Sequence, residues 1–190
     1  FYQINIKLLN LAKENIEQLI LLCQQNNQKA QLEVYNRYCK AMYNVALRIV
    51  KDEHFAEDVM QEAFLRAFQK LETFKGEVAF GAWLKRIVIN YSIDFYKKNS
   101  FFIHDDFEAK AFKIEDDVEN DNIDYTNIKV QEIMNALQNI KESYRMILTL
   151  VLIEGYDLEE VCEIINISYA NCRTTLSRAK ESLRVQLASK

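Results

Sequence analysis

The chain has no proline and only three glycines, Gly76, Gly81 and Gly155, among its 190 residues. Proline and glycine are the residues that most often interrupt helices, so long helical stretches can continue without a break. No stretch of useful length alternates apolar and polar residues as a half-buried strand would. No apolar run approaches the roughly 20 residues that a helix needs to cross a bilayer. We therefore expect an all-α fold without a membrane-inserted segment.

Apolar residues recur at helical spacing, and the interruptions predict eight helices. The predicted ranges are 4–25, 28–51, 55–71, 78–98, 128–138, 143–154, 158–165 and 168–187, with a break at Asn26 and Asn27. We expect a helical bundle over residues 1–98, a linker over 99–126 and a second helical domain over 127–190. The inward side of the second helix is predicted to carry Leu32, Tyr35, Tyr38, Cys39, Met42, Val45, Ala46 and Ile49.

The helix predicted at residues 55–71 has one apolar half and one polar half. The polar half carries Asp58, Gln61 and Glu62, with Leu65 among them. A single exposed leucine is common on protein surfaces. An apolar residue inside a polar rim is also typical of a protein-binding surface. Both interpretations remain open on this pattern alone.

The helix predicted at residues 78–98 is apolar on more than one side. Its main apolar stripe is Phe80, Leu84, Ile87, Val88, Tyr91 and Phe95, and the opposite side is predicted to carry Ala82, Ile89, Ile93 and Tyr96 among basic residues. Aromatic side chains stack on bases and cations neutralise phosphates, so such a helix is suited to nucleic acid. The alternative is a helix packed in a bundle whose charged ends reach solvent.

The net charge of −4 argues against nucleic-acid binding, but the charges are unevenly distributed. Residues 104–124 carry nine acids and two lysines, a net charge of −7. Residues 166–190 carry five bases and one acid, a net charge of +4. The acidic stretch lacks helical periodicity, which is typical of a solvated linker. Mimicry of DNA is a second interpretation of the same charges.

Residues 158–165, a turn at 166–167 and a helix from Ser168 have the spacing of a helix-turn-helix. Ser168 is a suitable N-cap, and Asn166 tolerates the left-handed conformation that the turn requires. Hydrogen-bonding side chains lie near the start of the last helix, where a helix in the major groove would present them. They are Asn171, Arg173, Thr174, Ser177 and Arg178. An ordinary polar surface is the alternative.

The four cysteines form no C-x-x-C pair, and the two histidines lie far apart in the sequence. We therefore expect no metal site, and a reducing, cytoplasmic setting. Cys162 and Cys172 fall at facing positions of the helix-turn-helix, and we interpret them as packing thiols rather than a redox switch. Because no nucleophile–base pair, phosphate loop or cofactor motif occurs, we expect neither an enzyme nor a bound cofactor.

Two stretches of the chain resemble one known family. Residues 56–98 resemble region 2 of bacterial RNA polymerase sigma factors, specifically the extracytoplasmic-function (ECF) group of the sigma-70 family. Residues 142–184 resemble region 4 of the same group, and the order and separation of the two stretches agree with it. The resemblance implies a factor that binds core RNA polymerase and directs promoter recognition, promoter opening and initiation at a restricted set of promoters.

The resemblance also implies roles for individual residues. The helix matching residues 56–68 docks in the family on the β′ clamp helices, which implies Asp58, Gln61, Glu62 and Leu65 as contacts. The segment matching residues 74–98 opens the downstream promoter element, and its loop at 74–79 captures a flipped base. The implied strand contacts are Lys75, Gly76, Trp83, Arg86, Asn90 and Lys97. The last helix recognises the upstream element through the five residues named above, and the polymerase β flap and an anti-sigma factor are implied as further partners.

Two other classes of protein stay open beside this resemblance. A helix-turn-helix regulator without polymerase would be dimeric on palindromic sites and would not need Leu65 or its polar surroundings. An enzyme is the other class, although no catalytic motif supports it, and a helical interaction protein without DNA is a further alternative.

Overall fold

The computed structural model describes residue 11, residues 13–103 and residues 124–188, apart from the side chains of 100–103 and 124–128. The chain divides into two compact units, Phe1–Ser100 and Phe101–Lys190. Every regular element in the described ranges is a helix, which confirms the predicted all-α fold.

The first unit contains, within the described residues, α1 Ile16–Gln24, α2 Gln28–Val50, α3 Glu53–Gln69 and α4 Phe80–Ile103. A 3₁₀ turn at Leu71–Thr73 follows α3. Helix α1 begins at Ile16, where the Asn15 side chain accepts a hydrogen bond from the Gln18 N–H at 2.8 Å, and residues 13–15 before it are not helical. The rest of the predicted first helix, residues 4–10, lies outside the described residues.

Side-chain caps fix where α2 and α3 begin. Asn27 accepts hydrogen bonds from the N–H groups of Lys29 and Ala30. Asp52 accepts one from the N–H of Phe55 at 2.8 Å. A residue with positive φ precedes each cap, Asn26 at 59° and Lys51 at 63°. The predicted break at Asn26 and Asn27 is therefore confirmed.

The core of the first unit lies where α2 packs against α1 and α3. The predicted apolar half of α3 is confirmed, because Ala56, Val59, Met60, Ala63, Phe64 and Ala67 are all buried. The prediction for Leu32 is wrong, since its side chain is 51% exposed. Leu32 lies about 200° around the helix from both Ala30 and Val34, and these two are the buried residues at that level.

Helix α4 begins and ends later than predicted, and its buried side is wider. Ile89, Ile93 and Tyr96 were predicted on the polar side but are buried. Their burial shows that α4 is covered on this side as well as on the side of its main apolar stripe, where its rings contact α2 and α3. Phe80 contacts Tyr38 of α2 with ring centroids 5.5 Å apart. Phe95 contacts Phe55 of α3 with centroids 5.3 Å apart.

The second unit contains, within the described residues, α5 Asp124–Gln138, α6 Glu142–Leu148, α7 Leu158–Ile165 and α8 Tyr169–Ala188. The helix predicted at 143–154 consists of α6 and a π-helical turn at Thr149–Ile153. Helix α8 packs against α5, α6 and α7, so the helix-turn-helix shares one core with the helices before it. That core includes Ile147, Leu148, Leu150, Val161, Cys172, Ala179 and Leu183.

None of the described helices combines the length and the apolar composition that crossing a membrane requires.

Candidate functional site

The exposed side of α3 carries the four residues predicted to bind a protein partner, and we call it the α3 face. Leu65 is 58% exposed, Asp58 and Gln61 are exposed, and Glu62 is partly buried. Polar neighbours orient the rim, since Gln61 donates a hydrogen bond to Glu57 at 3.2 Å. The structure therefore brings these four side chains together as an apolar centre inside a polar rim.

Arg66 connects the α3 face to α4. Its Nε lies 3.0 Å from Oε1 of Glu62, and its guanidinium carbon lies 4.0 Å from the centroid of the Tyr91 ring. A guanidinium at this distance over a ring is a cation–π contact. The sequence interpretation did not include Arg66. The Glu62–Arg66 spacing of four residues was a visible signal for the ion pair, but nothing in the sequence indicated Tyr91.

A short exposed loop, residues 75–79, connects the 3₁₀ turn to α4. All five of its residues are exposed, and Val78 is 55% exposed. Gly76 has a φ of 76° and no atom within 4 Å of an ideal Cβ, so its backbone conformation, and not crowding, favours glycine there. The loop thus presents Lys75 and Gly76 to solvent.

Aromatic rings close the base of this loop. Phe74, just before the loop, contacts Phe80, just after it, with centroids 5.5 Å apart and ring planes at 87°. Trp83 contacts Phe74 at 5.4 Å and Phe80 at 5.6 Å. Tyr38 of α2 contacts the Phe80 ring, and a Cβ on Gly81 would lie 3.0 Å from the Cε1 atom of Tyr38. Glycine at this position therefore lets α4 approach Tyr38 closely.

The remaining predicted strand contacts lie along one face of α4. Trp83, Arg86, Asn90 and Lys97 fall within about 60° of one another around the helix. Asn90 and Lys97 are exposed, whereas Trp83 and Arg86 are partly buried. With Lys75 and Gly76 in the loop before α4, we call these six residues the α4 face.

The helix-turn-helix geometry agrees with its prediction. Helix α7 begins at a capping box, in which Asp157 and Glu160 each accept a hydrogen bond from the other's backbone N–H. It ends at Asn166, which has a φ of 57° and a ψ of 56°, and this confirms the left-handed turn residue. Ser168 precedes α8, and its hydroxyl accepts a hydrogen bond from the Asn171 N–H at 3.4 Å.

The five residues predicted to contact DNA at the start of α8 are all exposed, and we call them the α8 face: Asn171, Arg173, Thr174, Ser177 and Arg178. The opposite side of α8 is buried at Cys172, Ala179 and Leu183. The Thr174 hydroxyl donates to the Ala170 carbonyl at 2.9 Å, so this proton is already used within the helix. Its oxygen and its methyl group remain for an outside partner.

Cys162 and Cys172 meet between α7 and α8, and both are free thiols. Burial raises the pKa of Cys172 to about 12, and a hydrogen bond with the Cys162 side chain adds to the rise. Burial likewise raises the pKa of Cys23 to about 11. A thiol held protonated is a poor nucleophile, which agrees with packing roles. Among the described residues, no group of His, Cys, Asp and Glu side chains is arranged to hold a metal ion.

Comparisons with known proteins match both units. The Sigma-70 region 2 family model matches residues 34–102, and the Sigma-70, region 4 model matches residues 130–183. The ECF RNA polymerase sigma factor SigW of Bacillus subtilis is 28% identical over 185 residues, which cover 93% of this chain and 97% of that protein. The ECF RNA polymerase sigma-E factor of Escherichia coli K12 is 27% identical over 173 residues, which cover 87% and 90% of the two chains.

Two solved structures share the fold. CnrH, in complex with the cytosolic domain of CnrY, aligns with a TM-score of 0.55 and 21% identity over 90% of this chain and 96% of that chain. The sigma factor RpoE from Bartonella quintana, in complex with the anti-sigma factor NepR, aligns with a TM-score of 0.59 and 19% identity over 82% and 95% of the two chains.

Proposed function

The chain belongs to the extracytoplasmic-function group of the sigma-70 family, and we propose that its two units divide the work of promoter recognition between them. As a sigma factor, it directs core RNA polymerase to promoters and initiates transcription there. The observation that carries this conclusion is the presence of region 2 and region 4 in the family's order along one chain. We assign polymerase and downstream-element binding to residues 1–98 and upstream-element binding to residues 127–190, with 99–126 as the connector.

The α3 face is the proposed contact with the β′ clamp helices of core polymerase. A protein interface gains most of its energy from a few apolar anchors that become fully desolvated, while polar groups around them exclude water. Leu65 has the exposure of such an anchor, and Asp58, Gln61 and Glu62 surround it. The negative charge of Asp58 favours a basic partner surface, whereas the charge of Glu62 is offset by Arg66 at 3.0 Å.

The α4 face is the proposed contact with the opened downstream element. Lys75, Arg86 and Lys97 supply positive charge for phosphates, and Asn90 supplies a side-chain amide for hydrogen bonding. Trp83 shares this face, with its ring against Phe74 and Phe80. The exposed loop with Gly76 is the proposed place for an unstacked base, because glycine allows close approach to the backbone.

The α8 face is the proposed contact with the upstream element. Arg173 and Arg178 are exposed and suited to guanine edges or phosphates, and Asn171 is suited to adenine. All five residues lie in the first half of α8, the part of a recognition helix that enters the major groove. We propose that this unit also docks on the β flap of polymerase.

The solved structures with the same fold suggest a further protein partner for this chain. CnrH and RpoE are each found in complex with another protein, and for RpoE that protein is an anti-sigma factor. We propose that an anti-sigma factor also holds this chain, in the cytoplasm, and that the chain catalyses no reaction of its own.

The test is run-off transcription with purified core polymerase on fragments of the host genome. We expect discrete transcripts when this chain is added and none from core polymerase alone. A chain that remains folded but produces no specific start site would refute the proposed function.

A further inference from the structure

The rings of Phe74, Phe80 and Trp83 form what we call the aromatic clasp. Its members come from both sides of the exposed loop, so five solvent-exposed residues are closed at their base by ring contacts of 5.4 to 5.6 Å. The edge-to-face and tilted arrangements of these rings are the favourable ones for aromatic pairs. Tyr38 supports the clasp from α2, with its ring centroid 5.5 Å from that of Phe80.

We propose that Phe74 and Trp83 are positioning residues that hold the exposed loop in one conformation for capture of an unstacked base. This inference rests on the proposed function of the loop. It changes the role of Trp83 from a direct strand contact to a support of the loop.

The burial of the rings carries this assignment. Phe74 and Trp83 are partly buried, and Phe80 is only 4% exposed, whereas all five loop residues are exposed. A loop whose own side chains make so few contacts owes its conformation to its ends. Fixing those ends before the base arrives lowers the entropy that binding must offset.

The experiment uses holoenzyme assembled from core polymerase and the full chain. The probe is the single-stranded non-template strand of a promoter mapped by the run-off assay, together with a series in which each base in turn is made abasic. The measured quantity is the ratio of the dissociation constants for abasic and intact strands. For wild type we expect one position at which this ratio is at least about fivefold, the size of one base–aromatic or pocket contact.

Two substitutions remove the clasp from different sides of the loop, Trp83→Ala and Phe74→Leu. Both are expected to bring the ratio at that position close to one, while affinity for core polymerase stays within about twofold of wild type. Trp83→Phe keeps a ring in the clasp and should retain most of the ratio. Asn36→Ala, an exposed change on α2, is the control and should retain all of it. Thermal unfolding of each variant shows which variants are folded. If Trp83→Ala does not fold, the comparison of Phe74→Leu with Trp83→Phe still decides the test.

The results of this experiment distinguish a positioning role of the aromatic clasp from a direct base contact and from a packing role. If Phe74→Leu keeps the full ratio while Trp83→Ala loses it, Trp83 contacts the base directly and the clasp is overturned. If both folded variants keep the ratio, the clasp has only a packing role and the inference is equally overturned. If wild type itself shows no base-dependent position, the proposed function of the loop fails instead.

Discussion

Leu65 and Leu32 are two exposed leucines on neighbouring helices, and they make a matched pair. Their side chains are 58% and 51% exposed, but only Leu65 lies within the α3 face. Replacing either one by arginine changes a side chain that is more than half exposed. Only at Leu65 would it place a bulky cation at the centre of the proposed polymerase interface.

We expect Leu65→Arg to weaken binding to core polymerase by about 10- to 100-fold, the loss typical of a central interface residue. Leu32→Arg should leave this affinity unchanged. Both variants should unfold within about 0.5 kcal/mol of wild type, as exposed substitutions do. Anisotropy titration of labelled chain with core polymerase measures the affinities. Equal affinities for the two variants would contradict the α3 face as the docking surface.

The buried thiol of Cys172 predicts a dependence of stability on alkaline pH. Burial raises its pKa from 9.0 to about 12, so the folded state keeps the proton where the unfolded state loses it. Because the unfolded state then binds fewer protons, the free energy of unfolding falls as pH rises above about 9. We expect Cys172→Ala to make this fall shallower in urea unfolding between about pH 7.5 and about pH 10.5. Cys39→Ala, at a partly exposed cysteine, is the control, and equal slopes for all three chains would refute the prediction.

At the scale of elements, the turn of the helix-turn-helix depends on one residue with a left-handed backbone. Asn166 has a φ of 57°, a conformation that costs most side chains about 1–2 kcal/mol and glycine almost nothing. Asn166→Gly should therefore be neutral or slightly stabilising. Asn166→Val should lower the free energy of unfolding by about 1–2 kcal/mol, because a β-branched side chain is strained there. Urea unfolding of the full chain measures both, and a stability for Asn166→Val equal to wild type would contradict the strained turn.

Elements with local stop signals were the ones that the sequence predicted best. The bounds of α7 agree with prediction at both ends, because Asp157 caps the start and Asn166 terminates the helix. The break at Asn26 follows the same logic. In each case the determining interaction lies within four residues along the chain, so periodicity and cap chemistry suffice.

Helix α4 is an element whose buried side local sequence signals did not predict. Its buried side could not be inferred from spacing, because a helix that is apolar on several sides has no single preferred face. Ile89 and Ile93 are buried on the side of α4 away from its ring contacts with α2 and α3, and this is tertiary information. The cation–π contact of Arg66 with Tyr91 was invisible for the same reason. The candidate site residues could be predicted from the family resemblance, but the contacts that support them could not.

At the scale of the whole molecule, the proposed function divides promoter binding between two units that each offer few contacts. When two linked units bind one promoter, the binding of the first unit raises the effective concentration of the second unit at its own element. A weakened α8 face should therefore lower promoter affinity without affecting the assembly of the holoenzyme.

We expect Arg178→Ala to weaken holoenzyme binding to a promoter fragment by about 10-fold, in the range of one base contact. Affinity for core polymerase should not change. Arg184→Ala removes the same charge from the same helix, at a residue paired with Glu181 at 3.2 Å, and should have little effect. On a fragment with a scrambled upstream element, both variants should match wild type. Joint loss of promoter and core binding in Arg178→Ala would show that the two roles are not separate.

Arg66 links the α3 face to helix α4 within the first unit. One guanidinium is shared by Glu62, on the side proposed to grip the enzyme, and by Tyr91, on the helix proposed to hold the melted strand. Displacing Glu62 would remove the carboxylate that pairs with Arg66 and leave the guanidinium over the Tyr91 ring. A partner that pulled Glu62 toward itself would therefore also free Arg66 to move, and with it a contact between α3 and α4.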